Sequence, residues 1–404
     1  MQNLISEVIS DSDFYYFIIT DLKSNSFISN ANKLTSLLDS LFSVDLDIQL
    51  DFLKRLPEPK DNFERSYFQY KCQQFLQKKY WTFMYASLSF LAYIPFVFYL
   101  IIKKKNKGSS SPENNAVFIF AGASDLIPKN LFQSFDKIDS MTFGNKYYLN
   151  AYDLKFAFRL FLRYPFSTYF NIKTIYKIAF YRAIINDYHP KAIICSSEYS
   201  FTSSVLTSYC EEQNITHINV MHGEKFLFIR DSFFKFHQFY IWDEYYISVF
   251  KTLRADMTQF RVEVPPCLIM SKTDKPDMVF DYTYYLGGET ESEIRKINDT
   301  LNLLHSRSFK ICIRLHPRYS DKELAAKVFS TFQLELPDSV TIAQSFERTK
   351  CLISLYSTVL FQGYLNGKII VIDDVSDQNK YEKLKVLKYI MISKPHIQLS
   401  KLIK

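Results

Sequence analysis

The apolar positions of this chain gather into short continuous runs separated by longer stretches of helical period. Ala116–Ala121 (AVFIFA), Ala192–Ser196 (AIICS), His217–Met221 (HINVM) and Phe239–Trp242 (FYIW) form one series of such runs. Met278–Leu286, Phe309–Leu315 (FKICIRL), Val340–Ile342, Cys351–Ser354 and Ile369–Ile372 (IIVI) form another. Runs this short, with no polar alternation, are what strands buried on both faces require. Between them the spacing predicts helices over Ala151–Tyr188, Thr202–Gln213, Glu289–Ser306, Asp321–Phe332 and Val359–Leu365, the last closed by Gly367. Strand and helix in alternation predict parallel sheets covered on both faces. The chain breaks at Pro265-Pro266 before the polar segment Ser271–Asp277, so two α/β domains are expected, over 1–270 and 271–404.

One stretch departs from this pattern. Tyr80–Ile102 carries no formal charge and is flanked by Lys78 and Lys79 on one side and Lys103, Lys104, Lys105 and Lys107 on the other. Its length suffices to cross a bilayer. Its aromatic hydroxyl and indole side chains (Tyr80, Trp81, Tyr85, Tyr93, Tyr99) favour the water–lipid interface instead. Membrane contact is expected, spanning or in-plane. Upstream, Phe14–Thr20 (FYYFIIT) reads as a strand and Asn32–Phe42 as a helix, which would make the apolar helix an insertion in the first domain. Downstream, Gly108–Asn115 (GSSSPENN) reads as a flexible joint. Met1–Asp13 is acidic and lacks a basic n-region, so no cleaved signal peptide is expected and the chain is placed at the cytoplasmic face of a membrane.

Composition narrows the chemistry. A length of 404 residues, 48% of them hydrophobic and 17% aromatic, supports well-filled cores rather than disorder. There are 8 glycines, in neither a GxGxxG nor a P-loop pattern, so any phosphate must be held without a glycine-rich cradle. The six cysteines (Cys72, Cys195, Cys210, Cys267, Cys312, Cys351) form no CxxC pair and read as reduced structural thiols. A net charge of +7 suits an anionic substrate or membrane surface, and no nucleic-acid-binding motif accompanies it. No DxD signature stands among the strand-end candidates, so neither metal nor cofactor is expected.

The chemistry-bearing residues cluster at strand ends. Arg314-Leu315-His316-Pro317-Arg318 follows a buried run, and the carboxyl ends of strands are where open α/β sheets bind ligands. Guanidinium and imidazole donors suit a phosphate. Ser354-Leu355-Tyr356-Ser357-Thr358 leads directly into a helix, whose free N–H groups attract an anion. Met221-His222-Gly223-Glu224 follows a strand in the first domain, where His222, or in second place Glu224, offers a general base. Ser196-Ser197-Glu198 and Gly122–Asp125, at other strand ends of the first domain, are second-tier candidates for acceptor binding, with Ser197 and Glu198 preferred, and Asp373-Asp374 after the last strand is a candidate for ribose or base, or a solvated pair.

His316-Pro317 followed by the Ser-rich turn at Ser354–Thr358 resembles the His-Pro and Ser motifs of bacterial GT-B glycosyltransferases that use CMP-activated sugars, the sialyl-, polysialyl- and Kdo transferases of capsule and lipopolysaccharide synthesis. The resemblance covers roughly Ala116–Asp374. It implies two Rossmann-like parallel-sheet domains facing a cleft, a metal-independent transfer of sialic acid or Kdo, and a glycan or lipid-linked glycan acceptor. It further implies that His316 contacts the donor phosphate, and that Ser354, Ser357 and Thr358 contact phosphate or the sugar carboxylate. His222-Gly223-Glu224 departs from the acidic motif of that group, which leaves the base open between His222 and Glu224. The His-Gly pair is similar to that of the CDP-glycerol polymerising transferases, a rival reading. A non-catalytic assembly protein for polysaccharide export is a rival from another class.

Overall fold

A computed structural model describes residues 45–77, 79–102, 114–119, 124–141, 147–270 and 279–404. The strand expected at Phe14–Thr20, the helix at Asn32–Phe42 and the insertion they imply lie outside the described residues, as do residues 108–113 of the expected joint.

The chain divides into two units. One comprises Asp47–His222 and Phe228–Pro265; the other comprises Gly223–Leu227 and Pro266–Lys404. The first unit holds a parallel sheet of β1 (Asn115–Ile119), β2 (Lys137–Met141), β3 (Ala192–Cys195), β4 (Thr216–Val220), β5 (Gln238–Ile241) and β6 (Phe260–Val262), in the order β2-β1-β3-β4-β5-β6. The second holds β7 (Phe280–Tyr285), β8 (Ile311–Arg314), β9 (Gln333–Glu335), β10 (Thr349–Ser354), β11 (Ile369–Ile372) and β12 (Ile397–Gln398), also parallel, in the order β12-β11-β10-β7-β8-β9. In this second sheet two runs of three strands start side by side and wind outward, which is the doubly wound Rossmann arrangement. Both units are α/β with parallel sheets and flanking helices.

The central strands are sealed on both faces. In β3 and β10 the residues Ala192, Ile193, Ile194, Leu352 and Ile353 have no exposed surface, which explains their unbroken apolar runs. Ala116, Phe118, Ile194, Ile218 and Val220 pack with Ile127 and Leu131 on one side of the first sheet. Ile297, Leu301 and Leu304 of helix Glu291–His305 pack with Tyr284, Ile313 and Val371 on the second. That helix starts at a capping box, Thr290 with Glu293, and helix Ala151–Arg163 starts at another, Asn150 with Asp153.

Several elements differ from the sequence expectation. The long helix expected over Ala151–Tyr188 is two, Ala151–Arg163 and Thr168–Tyr188, parted at Pro165, which cannot supply an interior N–H. Val340–Ile342 is no strand: Thr341 caps helix Ile342–Arg348 through a third capping box with Gln344. All six cysteines are free thiols, and burial pushes the Cys72 and Cys195 thiols up to about 12.

Gly363 shows how closely helix Thr358–Leu365 lies on β10 and β11. A Cβ there would come within 2.6 Å of Leu352 Cδ2 and 3.1 Å of Ile370 Cδ1. Gly363→Ala is therefore expected to destabilise the second unit by about 1–3 kcal/mol despite the helix propensity of alanine, read as a lowered denaturation midpoint. An unchanged midpoint would show that the helix can lift away from the sheet at little cost.

Candidate functional site

In the second unit the strands β10, β7 and β8 are neighbours, so the loops leaving their carboxyl ends stand side by side at the point where the winding direction reverses. The loop after β8 carries His316. Its Nδ1 accepts the backbone N–H of Arg318 at 3.1 Å, and its ring stacks on Tyr319 with centroids 4.4 Å apart. Burial, with the Arg318 guanidinium adding to it, lowers the His316 pKa to about 4, so the ring is neutral at neutral pH. With Nδ1 acting as acceptor, the ring proton resides on Nε2, and the imidazole is a hydrogen-bond donor through that atom. Pro317 and Arg318 are exposed beside it.

Arg314 does not join this loop. It is buried, donates to Glu335 at 3.5 Å and to the Val340 carbonyl at 2.8 Å, and so ties β8 to β9. Glu335 also accepts from Arg348 at 3.3 Å. The expectation of a phosphate contact from Arg314 is corrected accordingly, since a guanidinium turned outward would give up the Val340 carbonyl and one of the two cations that compensate a buried carboxylate. The guanidinium left for an anion in this loop is that of Arg318.

The loop after β10 divides its hydroxyls between two tasks. Ser354 is fully buried and donates to the Tyr285 carbonyl at 2.9 Å, linking β10 to β7; its expected phosphate contact is corrected on that ground. Ser357 is the N-cap of helix Thr358–Leu365, its Oγ accepting the Val359 N–H at 3.2 Å, which leaves the hydroxyl proton to donate outward. Thr358 is the first helical residue, at the positive end of the helix dipole. Tyr389 holds this turn from behind: its hydroxyl donates to the Ser357 carbonyl at 3.0 Å and accepts the Ser357 N–H at 3.4 Å.

Between these loops stands a third, after β7, to which the sequence analysis assigns no site residue. Gly287 N–H donates to both carboxylate oxygens of Glu289, at 2.9 and 2.8 Å, and Gly287 C=O accepts from Ser320 at 3.2 Å. Ser320 Oγ in turn accepts the His316 N–H at 2.8 Å, so the β7 and β8 loops are joined. Burial raises the Glu289 pKa to about 7; the Gly287 N–H opposes the shift while Glu293 and Asp373 reinforce it. The signal available in the sequence was Gly287-Gly288, a glycine doublet at a strand end. Asp373 and Asp374 do not reach into this region as partners of a ribose would. Asp373 is buried, accepting from Tyr284 Oη at 2.7 Å and from the Val375 and Ser376 N–H groups, and Asp374 accepts from the Ser400 N–H and hydroxyl.

In the first unit His222 leaves the carboxyl end of β4 beside the end of β3. Its Nδ1 contacts Ser196 Oγ, and Ser196 Oγ donates to the Val220 carbonyl at 2.7 Å. A hydroxyl has one proton to give, so with that proton on Val220 the imidazole donates from Nδ1 and keeps its acceptor lone pair on Nε2. Tyr199 meets the ring edge-on at 6.0 Å. Glu198 is fully buried, accepting from Asn219 Nδ2 at 2.8 Å, while Asn219 Oδ1 accepts the Ser197 N–H at 2.7 Å. These bonds lock the β3 end to β4, and Glu198 has no surface to offer an acceptor; that expectation is corrected, and Ser197 alone of the pair stays partly exposed.

The motif His222-Gly223-Glu224 is divided between the units. Gly223 turns at φ +65, and the segment it opens packs within the second unit: Phe226 meets the rings of Tyr356 and Tyr389 at 5.1 and 5.8 Å, and Leu227 N–H donates to the Leu387 carbonyl at 2.8 Å. Glu224 belongs to the second unit and acts electrostatically on the Tyr389 phenol that holds the Ser357 turn. Of the two residues expected to provide a base, His222 has the strand-end position and the oriented ring.

No protein-family model matches the chain, and no curated protein matches it. Among solved structures it is similar to the UDP-GlcNAc 2-epimerase of Neisseria meningitidis bound to UDP-GlcNAc, at 10% identity over 72% of this chain and 89% of that one, with a TM-score of 0.42. It is similar to the wall teichoic acid polymerase TagF, at 12% identity over 81% and 88%, with a TM-score of 0.40. A third similar structure is that of S. aureus MnaA with UDP, at 11% identity over 64% and 78%, with a TM-score of 0.38.

Proposed function

We propose that this protein is a metal-independent glycosyltransferase that moves a sugar from a nucleotide-activated donor to a glycan hydroxyl. The observation that carries the reading is the convergence of the loops after β8, β7 and β10, with a neutral His316 donating from Nε2 and a helix start at Ser357–Thr358. A nucleotide phosphate is held there by the His316 N–H, the Arg318 guanidinium, the Ser357 hydroxyl and the first N–H groups of the helix. As the bond between the anomeric carbon and the phosphate oxygen breaks, the same donors stabilise the charge that the departing phosphate gains. The acceptor oxygen bonds to the anomeric carbon and gives its proton to Nε2 of His222, whose tautomer Ser196 sets. The sequence resemblance at His316-Pro317 and Ser354–Thr358 favours a CMP-linked acidic sugar of the sialic acid or Kdo type as donor. The turn at His222-Gly223 favours the alternative donor CDP-glycerol, with His222 again as base.

Thermal shift against CMP, CDP, UDP and GDP tests the donor site, since a ligand that binds only the folded state raises stability as RT ln(1 + [L]/Kd). A shift of the folded wild-type protein with CMP or CDP, lost in His316→Ala, is expected. Raising the pH through about 7 should weaken it, because ionised Glu289 adds a negative charge beside the phosphate, and Glu289→Gln should abolish that dependence. Preference for CMP supports the sialyl or Kdo donor, and preference for CDP the glycerophosphate donor. No shift with any nucleotide would overturn the reading in favour of a non-catalytic assembly role.

A further inference from the structure

The helix Lys79–Ile102 is fastened to the first unit along its length. Tyr85 stacks on Tyr169 with centroids 5.4 Å apart, and the Ala86 carbonyl accepts from Thr168 Oγ1 at 3.0 Å. Tyr93 stacks on Phe161 at 5.6 Å, Phe96 meets Tyr176 at 6.3 Å, and the Leu100 carbonyl accepts the Leu149 N–H at 3.3 Å. From Tyr85 to Leu100 these attachments extend over about 22 Å at the helical rise. Tyr85, Ser89, Phe96 and Leu100 are the buried residues of this helix, and at about 100° per residue they form one stripe. The helix beneath, Thr168–Tyr188, is itself core, with Ile178, Ala179, Phe180 and Ile184 fully buried. A helix attached in this way cannot stand upright through a bilayer without peeling off that core.

The opposite stripe is as apolar as the buried one and faces outward. Phe83, Phe90, Leu91, Ile94 and Phe98 are 73%, 70%, 73%, 78% and 63% exposed, half a helical turn from the attached side. The helix on which Tyr93 stacks adds exposed Phe158 and Leu162, and the turn after it adds Phe166. Monomers seldom leave so much contiguous apolar surface uncovered. The charge flanking the helix in sequence is of one sign: Lys78, Lys79, Lys103, Lys104, Lys105 and Lys107 lie at its two ends, and no Asp or Glu occurs between Glu64 and Glu113. An apolar stripe with exposed Tyr80 and Trp81 at its start and lysines flanking the helix at both ends complements the anionic surface of a bilayer, apolar below and negatively charged at the headgroups.

We propose that helix Lys79–Ile102 lies in the plane of an anionic membrane, its outer stripe sunk at the boundary of headgroups and acyl chains, and does not cross it. The choice between the two alternatives left by the sequence rests on geometry alone and does not depend on the proposed transferase reaction. In-plane insertion of such a stripe reaches about 5–10 Å, and phenylalanine and isoleucine side chains are long enough for it.

The test uses the full chain and vesicles of phosphatidylcholine with or without phosphatidylglycerol. Co-sedimentation with the anionic vesicles is expected, weakened by salt and by omission of phosphatidylglycerol. The triple substitution Phe90→Ser, Leu91→Ser, Ile94→Ser should reduce it at least about tenfold. The replaced residues are exposed, so an unchanged melting profile will show that the fold survives. Depth is read by tryptophan quenching with brominated lipids: Trp81 is a native probe, Trp242 is buried and donates to the Met221 carbonyl, and Leu91→Trp places a probe at mid-helix. Shallow bromines should quench the mid-helix probe most. Strongest quenching by bromines at the bilayer centre would mean that the helix spans, and would overturn the proposal. So would absence of vesicle binding, including the case in which the protein is a dimer that the triple substitution converts to monomer, which would assign the stripe to a second copy of the chain.

Discussion

His222→Ala is expected to lower the rate of transfer by about 10²–10⁴-fold while leaving nucleotide binding intact, the range that loss of a positioned general base produces. The reason lies in the proton on Ser196. Its hydroxyl gives that proton to the Val220 carbonyl, so His222 donates from Nδ1 and presents Nε2 as acceptor. Ser196→Ala should therefore act in the same direction and more weakly, by freeing the ring to adopt the other tautomer, and it should do so through kcat with little change in donor KM. His222 is partly exposed and Ser196 is small, so neither substitution should move the melting temperature far. Single-turnover transfer from a saturating donor, compared with nucleotide affinity in the same variants, separates the two effects. Transfer by His222→Ala within a few-fold of wild type would show that the proton leaves by another route.

The largest stability effect is expected from Asp153→Asn. Asp153 has no exposed surface, and its carboxylate accepts from Arg182 Nε at 2.9 and 3.0 Å, from Arg182 Nη2 at 2.8 Å, from Tyr209 Oη at 2.7 Å and from the Asn150 N–H at 2.8 Å. Burial, with Asp153 next in weight, pushes the Tyr209 phenol well above its usual range, so the phenol remains a donor. One carboxylate thus joins the start of helix Ala151–Arg163 to helix Thr168–Tyr188 and helix Ser203–Glu211. The amide introduced by this change would place an NH₂ donor against a guanidinium whose residue, Arg182, is 9% exposed, leaving a buried charge uncompensated. Breaking such a pair costs about 3–5 kcal/mol. In a unit of this size that corresponds to a fall of about 6–20 °C in its melting midpoint. Replacing both partners with apolar residues, as in Asp153→Leu with Arg182→Met, should recover much of the loss, because the penalty lies in the stranded charge. A single Asp153→Asn change that leaves the midpoint within a degree or two would show that water reaches Arg182.

How far the fold was legible follows from where each strand sits. Every strand recognised from its apolar run, β1, β3, β4, β5, β7, β8, β10 and β11, is interior to its sheet. Among the described residues, the strands that no continuous apolar run announces, β2, β6, β9 and β12, are the edges of the two sheets. Lys137–Met141 (KIDSM) and Gln333–Glu335 (QLE) show why: an edge strand is covered on fewer sides, so its sequence need not be continuously apolar. Val340–Ile342 is a related case: the short run resembles a strand, but the capping pair Thr341 and Gln344 makes it the start of a helix.

The candidate site divides along the same line. By itself the sequence determined the two parallel α/β units, because burial on both faces demands apolar runs of strand length. It also determined that His222, His316, Ser357 and Thr358 stand at strand ends, because a polar residue that follows such a run must emerge there. The tertiary structure alone decided which of the polar neighbours remain available to a ligand. Arg314, Ser354, Glu198 and Asp373 occupy strand-end positions as promising as the others, yet each is spent on a partner distant in sequence, and sequence spacing carries no record of such partners. It also decided that Glu224, two residues from His222, belongs with the Ser357 turn, because Gly223 at positive φ sends the chain into the second unit. Finally, the tertiary structure separated two faces of helix Lys79–Ile102 that are equally apolar in sequence, since only packing shows which face meets protein and which is left outward.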